Sequence, residues 1–145
     1  MSADRIFLDT NVIVYGYDRS AGRKHEIAKT LLIDLWNAEG AVLSTQVLQE
    51  LYVTVTLKIP RRLSQKAAKE IVSDLLAWDV VTNDGETVVQ AINIHAAEGL
   101  SFWDALIVAA AKKGAANVIL SEDFPDGKRF GNVAVKNPFA CPRSE

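Results

Sequence analysis

The sequence predicts an α/β fold built on a mainly parallel sheet. Three observations carry that reading: short, wholly apolar runs recur along the chain, segments with helical spacing separate them, and turn or capping residues stand at the junctions. The length of 145 residues suits one domain spanning 1–145, and no repeat or linker divides it.

Ile6-Phe7-Leu8 reads as a buried strand that ends in Asp9, after which the chain turns. Asp18 to Lys24 is a polar connecting patch. From His25 to Asn37 the spacing is helical, with Ile27, Leu31, Leu32 and Leu35 on one face and Glu39-Gly40 as the stop. Ala41-Val42-Leu43 is a second strand. Ser44 or Thr45 caps the next helix, whose apolar stripe is Val47, Leu48, Leu51, Tyr52 and Val55 and which Pro60 closes. Ser64 caps a helix reaching about Trp78, with Ala67, Ile71, Leu75 and Leu76 inward. Val80-Val81 is a weak strand, and Glu86 to Glu98 is helical. Ser101 caps a helix that runs to Lys113 and stops at Gly114. Val118-Ile119-Leu120 and Val133-Ala134-Val135 complete a sheet of about five short strands.

Apolar residues make up 49% and charged residues 23%, which is ample for a core and excludes a disordered chain. The net charge is −2, from 16 basic and 18 acidic side chains, so the chain does not grip nucleic acid through a generally basic surface. Any such contact is local or bridged by metal. The one cysteine, Cys141, forms no internal disulfide and suits a reducing compartment. The N-terminus carries charge before any apolar run, unlike a signal peptide. The apolar run from Leu100 to Ala111 is too short to span a bilayer and contains Asp104. A cytoplasmic protein with no membrane association is expected.

Sites in parallel α/β folds lie beyond the carboxyl ends of the strands. Asp9 stands there after the first strand, and Ser121 and Asp123 stand there after the fourth. Asp104 is the only charge in an otherwise apolar helix, where an ionised carboxylate is costly unless bonded, paired or bound to metal. Glu50 lies in the second turn of its helix, beside the apolar stripe. Each acid also has an ordinary explanation. Asp104 completes a capping box with Ser101, Glu50 suits a solvated face, Asp9 suits a cap and Asp123 a loop. Their common position at one sheet edge favours a joint role. Carboxylates converging there repel one another, and the chain offers no Cys/His ligand set; all-oxygen ligation selects a hard cation, Mg²⁺ or Mn²⁺.

The order L-D-T-N-V (Leu8 to Val12), Q-E-L-Y (Gln49 to Tyr52), F-W-D-A-L (Phe102 to Leu106) and L-S-E-D-F (Leu120 to Phe124) resembles the PIN-domain nucleases. More narrowly it resembles the toxin half of VapBC-type toxin–antitoxin pairs. The resemblance extends from Arg5 to about Val135; each motif is weak alone, and the four acids in order make the signal. It implies a three-layer α/β/α sandwich and Mg²⁺- or Mn²⁺-dependent endonuclease activity on RNA, by attack of a metal-activated water on the phosphodiester. It implies that Asp9, Glu50, Asp104 and Asp123 hold the metal, that the Ser121 hydroxyl supports the cluster and that Asn11 assists it. Asp126, just downstream, competes with Asp123 for the last place. It further implies an antitoxin whose tail occupies the groove over the acids, with a basic side chain in place of the metal, and a homodimer.

Candidate phosphate contacts are Arg19, Arg23 and Lys24, the run Lys58, Arg61, Arg62, Lys66 and Lys69, and the pair Lys128 and Arg129. The ordinary reading of each is solvated surface. Tyr15, Tyr17 and Phe124 are placed to stack on bases, although Tyr15 and Phe124 also suit the core. Trp36, Trp78 and Trp103 read as core or interface anchors. A dehalogenase-type phosphatase also places an Asp after its first strand, but needs a second Asp where this chain has Asn11. A DNA-directed nuclease and a binding-only domain are the remaining alternatives.

Overall fold

The computed structural model describes residues 4–140; Cys141 lies outside the described residues. Twelve regular elements follow in order: β1 (Ile6–Leu8), α1 (Thr10–Tyr17), α2 (Arg23–Trp36), β2 (Ala41–Ser44), α3 (Thr45–Leu57), α4 (Gln65–Leu75), β3 (Asp79–Val81), α5 (Gly85–Glu98), α6 (Phe102–Lys113), β4 (Val118–Leu120), β5 (Arg129–Phe130) and β6 (Val133–Lys136). The strands form one sheet in the order β3-β2-β1-β4-β6-β5, parallel throughout except for the β5–β6 hairpin. The helices pack in two groups, α1 to α4 and α5 with α6, which flank the sheet in an α/β/α sandwich.

The expected strands and most helices are where their apolar spacing puts them, and the caps are now specific. Ser44 caps α3 through Val47 N, Ser64 caps α4 through Ala67 N, Asp84 caps α5 through Thr87 N and Ser101 caps α6 through Asp104 N. The α4 helix ends at Leu75, short of the expected Trp78.

Two elements depart from expectation. The segment after Asp9 is a helix, not a turn. Its residues TNVIVYGY have poor helix propensity, but Val12, Ile13 and Val14 are buried, so packing overrides propensity. Gly16 admits the neighbouring helix: a Cβ there would lie 2.4 Å from Leu32 Cδ1. The polar patch that follows is likewise structured, with Asp18 capping a 3₁₀ turn over Arg19–Ala21 and Arg23 opening α2. The second departure is a sixth strand, β5, only two residues long, folded back on β6 through Gly131 at φ 63°.

The chain builds outward from β1 to β2 and β3, then returns to place β4 on the other side of β1. The order reverses between β1 and β4, and a crevice opens beyond the carboxyl ends of such a pair. Leu8 pairs with Leu120, so Asp9 and Ser121 leave the sheet side by side. The helix α6 is buried from Ala105 to Ala111. Among the described residues no single helix is long and apolar enough to cross a membrane.

Candidate active site

A cleft of about 410 Å³ opens at this crevice. It is lined by Asp9, Thr10 and Asn11 after β1, by one face of α3, by Trp103, Asp104 and Ile107 of α6, and by Asp123 after β4. The four predicted acids thus come together from segments far apart in the chain. Among the described residues no three acidic, histidine or cysteine side chains already enclose a single point, so the acids ring the cleft without closing on its centre.

Asp9 is the buried member, 6% exposed. Its Oδ1 accepts from Thr10 N at 2.8 Å and its Oδ2 accepts from Ser121 Oγ at 2.8 Å. Ser121 is fully buried, and its Oγ also accepts from Asp123 N at 3.0 Å. One hydroxyl therefore ties the β1 acid to the loop that carries the β4 acid. Asp104 is half-buried and is not folded back on its helix start as a capping box requires. The capping bond runs from Asp104 N to Ser101 Oγ at 3.1 Å, leaving the carboxylate on the cleft. Glu50 is exposed, as the solvated-face reading expects, yet its Oε1 accepts from Thr10 Oγ1 at 2.6 Å.

Thr10 was not visible as a site residue in the sequence. Its N–H binds one acid and its hydroxyl another, and it is itself buried. Its partner Glu50 lies 40 residues away, so only the Asp-Thr pair after a strand hinted at it. Gln46 was missed in the same way. Its Nε2 makes long contacts of 3.4 Å to Glu50 Oε2 and to Trp103 O, and its Oε1 is buried with no donor among the described residues. Thr10→Val keeps the shape but removes a bond to a charged group, and should lower the unfolding free energy by about 1–2 kcal/mol. Urea denaturation of the two chains measures it, and an unchanged midpoint would show that the Thr10 bond contributes nothing.

Burial pushes the Asp9 carboxyl up to about 6; its bonds from Ser121 and Thr10 pull the other way, and the charges of Asp123 and Glu50 push it further up. Burial also raises Asp123, joined by the charges of Glu122 and Asp104, against a hydrogen bond with Asp9. Two acids whose surroundings disfavour their negative charge, in an all-oxygen cleft, fit a hard divalent cation.

The neighbouring acids are occupied elsewhere. Burial would raise Glu122, but its bonds from Lys24 (2.7 Å) and Tyr15 outweigh that and hold it below the usual carboxylate range. Asp126 accepts from Asn137 N at 2.9 Å and does not line the cleft. Of the basic residues, Lys24 is paired with Glu122, Arg23 donates to Phe139 O at 3.0 Å, and Arg19, Arg61 and Arg62 are exposed away from the cleft lining. Lys58 is the one cation among the residues that line it. Lys128 pairs with Glu98, and Arg129 lies on β5. The expected stacking residues are also engaged: Phe124 is buried, Tyr15 binds Glu122, and Tyr17 packs against the core.

A family model described as PIN domain matches residues 6–133. No curated protein sequence matches. Solved structures with a similar fold include VapC20 of Mycobacterium tuberculosis, a toxin that cleaves the sarcin–ricin loop, at TM-score 0.64 and 21% identity over 81% of this chain and 89% of that one. A toxin–antitoxin complex from Klebsiella pneumoniae aligns at TM-score 0.68 and 16% identity over 94% and 99%. VapBC2 of Rickettsia felis, bound to a promoter DNA fragment, aligns at 0.61 and 17% over 91% and 97%.

Proposed function

The chain belongs to the PIN-domain family of nucleases, and from that premise we propose that it is a metal-dependent endoribonuclease, the toxin of a toxin–antitoxin pair. The observation that carries the reading is the meeting of Asp9, Glu50, Asp104 and Asp123 around one cleft at the sheet's switch point. These four are the proposed catalytic and metal-holding groups, and Mg²⁺ or Mn²⁺ the proposed ion. Bound there, the ion supplies a nucleophilic water at neutral pH and offsets the charge that grows on the phosphodiester.

The protein's own share is placement. Ser121 fixes Asp9 and the start of the Asp123 loop together, Thr10 turns Glu50 toward the cleft, and α6 presents Asp104 from a buried, rigid helix. Asn11, at the cleft wall, is proposed to orient the attacked phosphate. Arg61 and Arg62 follow Lys58 on an exposed segment and are proposed to meet flanking phosphates, with Arg19, Arg23 and Lys24 a more distant basic patch.

RNA as substrate and an antitoxin as partner are supported by similarity of fold to a toxin that cleaves the sarcin–ricin loop and to toxin–antitoxin complexes. A homodimer is proposed on the family resemblance. The test is direct: the chain purified free of any partner should cut single-stranded RNA internally with Mn²⁺ or Mg²⁺ and stop cutting in EDTA. Cleavage of DNA in preference to RNA would reassign the substrate, and no cleavage of either would leave a binding-only domain.

A further inference from the structure

Trp103 reads from sequence as an anchor for the core or an interface, yet its side chain stands at the mouth of the cleft with 63% of its surface exposed. It is the residue before Asp104, so the helix that presents the acid also presents the ring. The buried part of α6 runs from Ala105 to Ala111, so the core has no use for the indole. Phe102 packs against the ring edge-to-face with centroids 5.1 Å apart, and the Trp103 backbone carbonyl makes a long contact of 3.4 Å with Gln46 Nε2. What sets Trp103 apart from the other exposed apolar side chains is its place on the cleft beside the acids, where an aromatic face can stack on a base.

The face of α3 explains what runs past it. Gln46, Glu50, Thr54 and Lys58 recur at a spacing of four and all line the cleft. Gln46 stands by Trp103, Glu50 is one turn on, and Lys58 lies about 18 Å from Gln46 along the helix axis. A strand laid along this face meets an aromatic ring, then the acids, then a cation.

We propose that Trp103 is the stacking platform for an unpaired base of the substrate, and that Lys58 holds a phosphate farther along the same strand. The base that meets Trp103 must be unstacked on the side it presents. A base inside a duplex has both faces covered by its neighbours and offers none to the indole. The proposal rests on the nuclease reading above and adds to it the specificity residue.

The probe is a labelled pool of mixed-sequence single-stranded RNA. Binding is read by fluorescence anisotropy on the Asp9→Asn chain with Mg²⁺ present, and cleavage by single-turnover rates against protein concentration. Trp103→Ala should raise the dissociation constant and the half-saturation point by about 5- to 100-fold, the loss of one stacked base, and change the maximal rate less. Trp103→Phe should recover most of the loss, because the ring rather than the indole N–H carries the contact. Lys58→Ala should lower the slope of log affinity against log salt by about 0.7, one single-strand phosphate. A duplex of the same pool should bind poorly and be indifferent to Trp103→Ala. Single-strand affinity unchanged in Trp103→Ala would overturn the proposal, as would an equal loss on the duplex. So would a change in sedimentation of Trp103→Ala without a change in RNA binding, which would make the ring an interface between copies. A wild-type chain that binds the pool through Trp103 yet never cuts it would sink the nuclease reading and leave the stacking platform standing.

Discussion

Asp9→Asn and Asp104→Asn should each slow RNA cleavage by at least ~100-fold while leaving the chain folded. The asymmetry between function and fold comes from what each carboxylate touches. Asn at position 9 keeps an acceptor for Thr10 N, and the Ser121 hydroxyl can accept from the new amide as well as donate. It also removes a charge from a site that is 6% exposed, so the variant should melt no lower than the wild type at neutral pH in the absence of metal. At Asp104 the capping bond uses the backbone N–H, which the substitution leaves alone. Asp126→Asn is the control: that side chain accepts from Asn137 N outside the cleft, and cleavage should be unaffected. Circular dichroism, melting and cleavage on the same preparations check the set. Near-wild-type cleavage by Asp9→Asn would remove the acid cluster from the chemistry, and loss of activity in Asp126→Asn alone would exchange the roles of Asp123 and Asp126.

The four acids were legible because the inference needed little geometry. An acid at the end of a wholly apolar strand faces the crevice whatever the details of packing, and β1 and β4 needed only to be neighbours, as they are. Asp104 stands out in the sequence as the only charge in an apolar helix, with a capping box to Ser101 as the rival explanation that position alone does not decide. What could not be read were bonds between distant segments. Thr10 and Gln46 are polar residues at helix starts, where local capping is the ordinary explanation; the Thr10–Glu50 bond appears only once α1 and α3 stand side by side, and the Gln46–Trp103 contact only once α6 reaches α3. The charge of Lys24 is plain in the sequence, whereas its Glu122 partner, far along the chain, is not. For Trp103 the core half of the expectation does not hold, for a related reason. Large aromatic residues usually serve cores, but position 103 falls in the first turn of α6, outside the stretch that packs. The α1 helix failed because its strength is tertiary, with β-branched residues buried to 0–4% doing what propensity does not.

Asp9 also predicts how metal and pH act together on stability. Its carboxyl has an ordinary pKa of 3.8 and is pushed to about 6 in the fold, chiefly by burial. Between those values the folded chain holds a proton that the unfolded chain has lost, so stability falls as pH rises through this window and levels off above it. The loss from this one group is roughly 3 kcal/mol, two units at about 1.4 kcal/mol each. A divalent cation in the cleft competes with that proton and binds the folded state, so its stabilisation should be small near pH 4.5 and grow to a plateau above pH 6. At a hundred times its dissociation constant the ion should contribute about 2.7 kcal/mol. Urea melts at the two ends of the window, with EDTA or with Mg²⁺, measure all four corners. Other carboxylates titrate in the same range, so the decisive quantity is wild type minus Asp9→Asn. The variant should lack the downward slope in EDTA and lose most of the Mg²⁺ effect at neutral pH. A Mg²⁺ stabilisation equal at both pH values, or undiminished in Asp9→Asn, would mean that the ion binds somewhere other than this cleft.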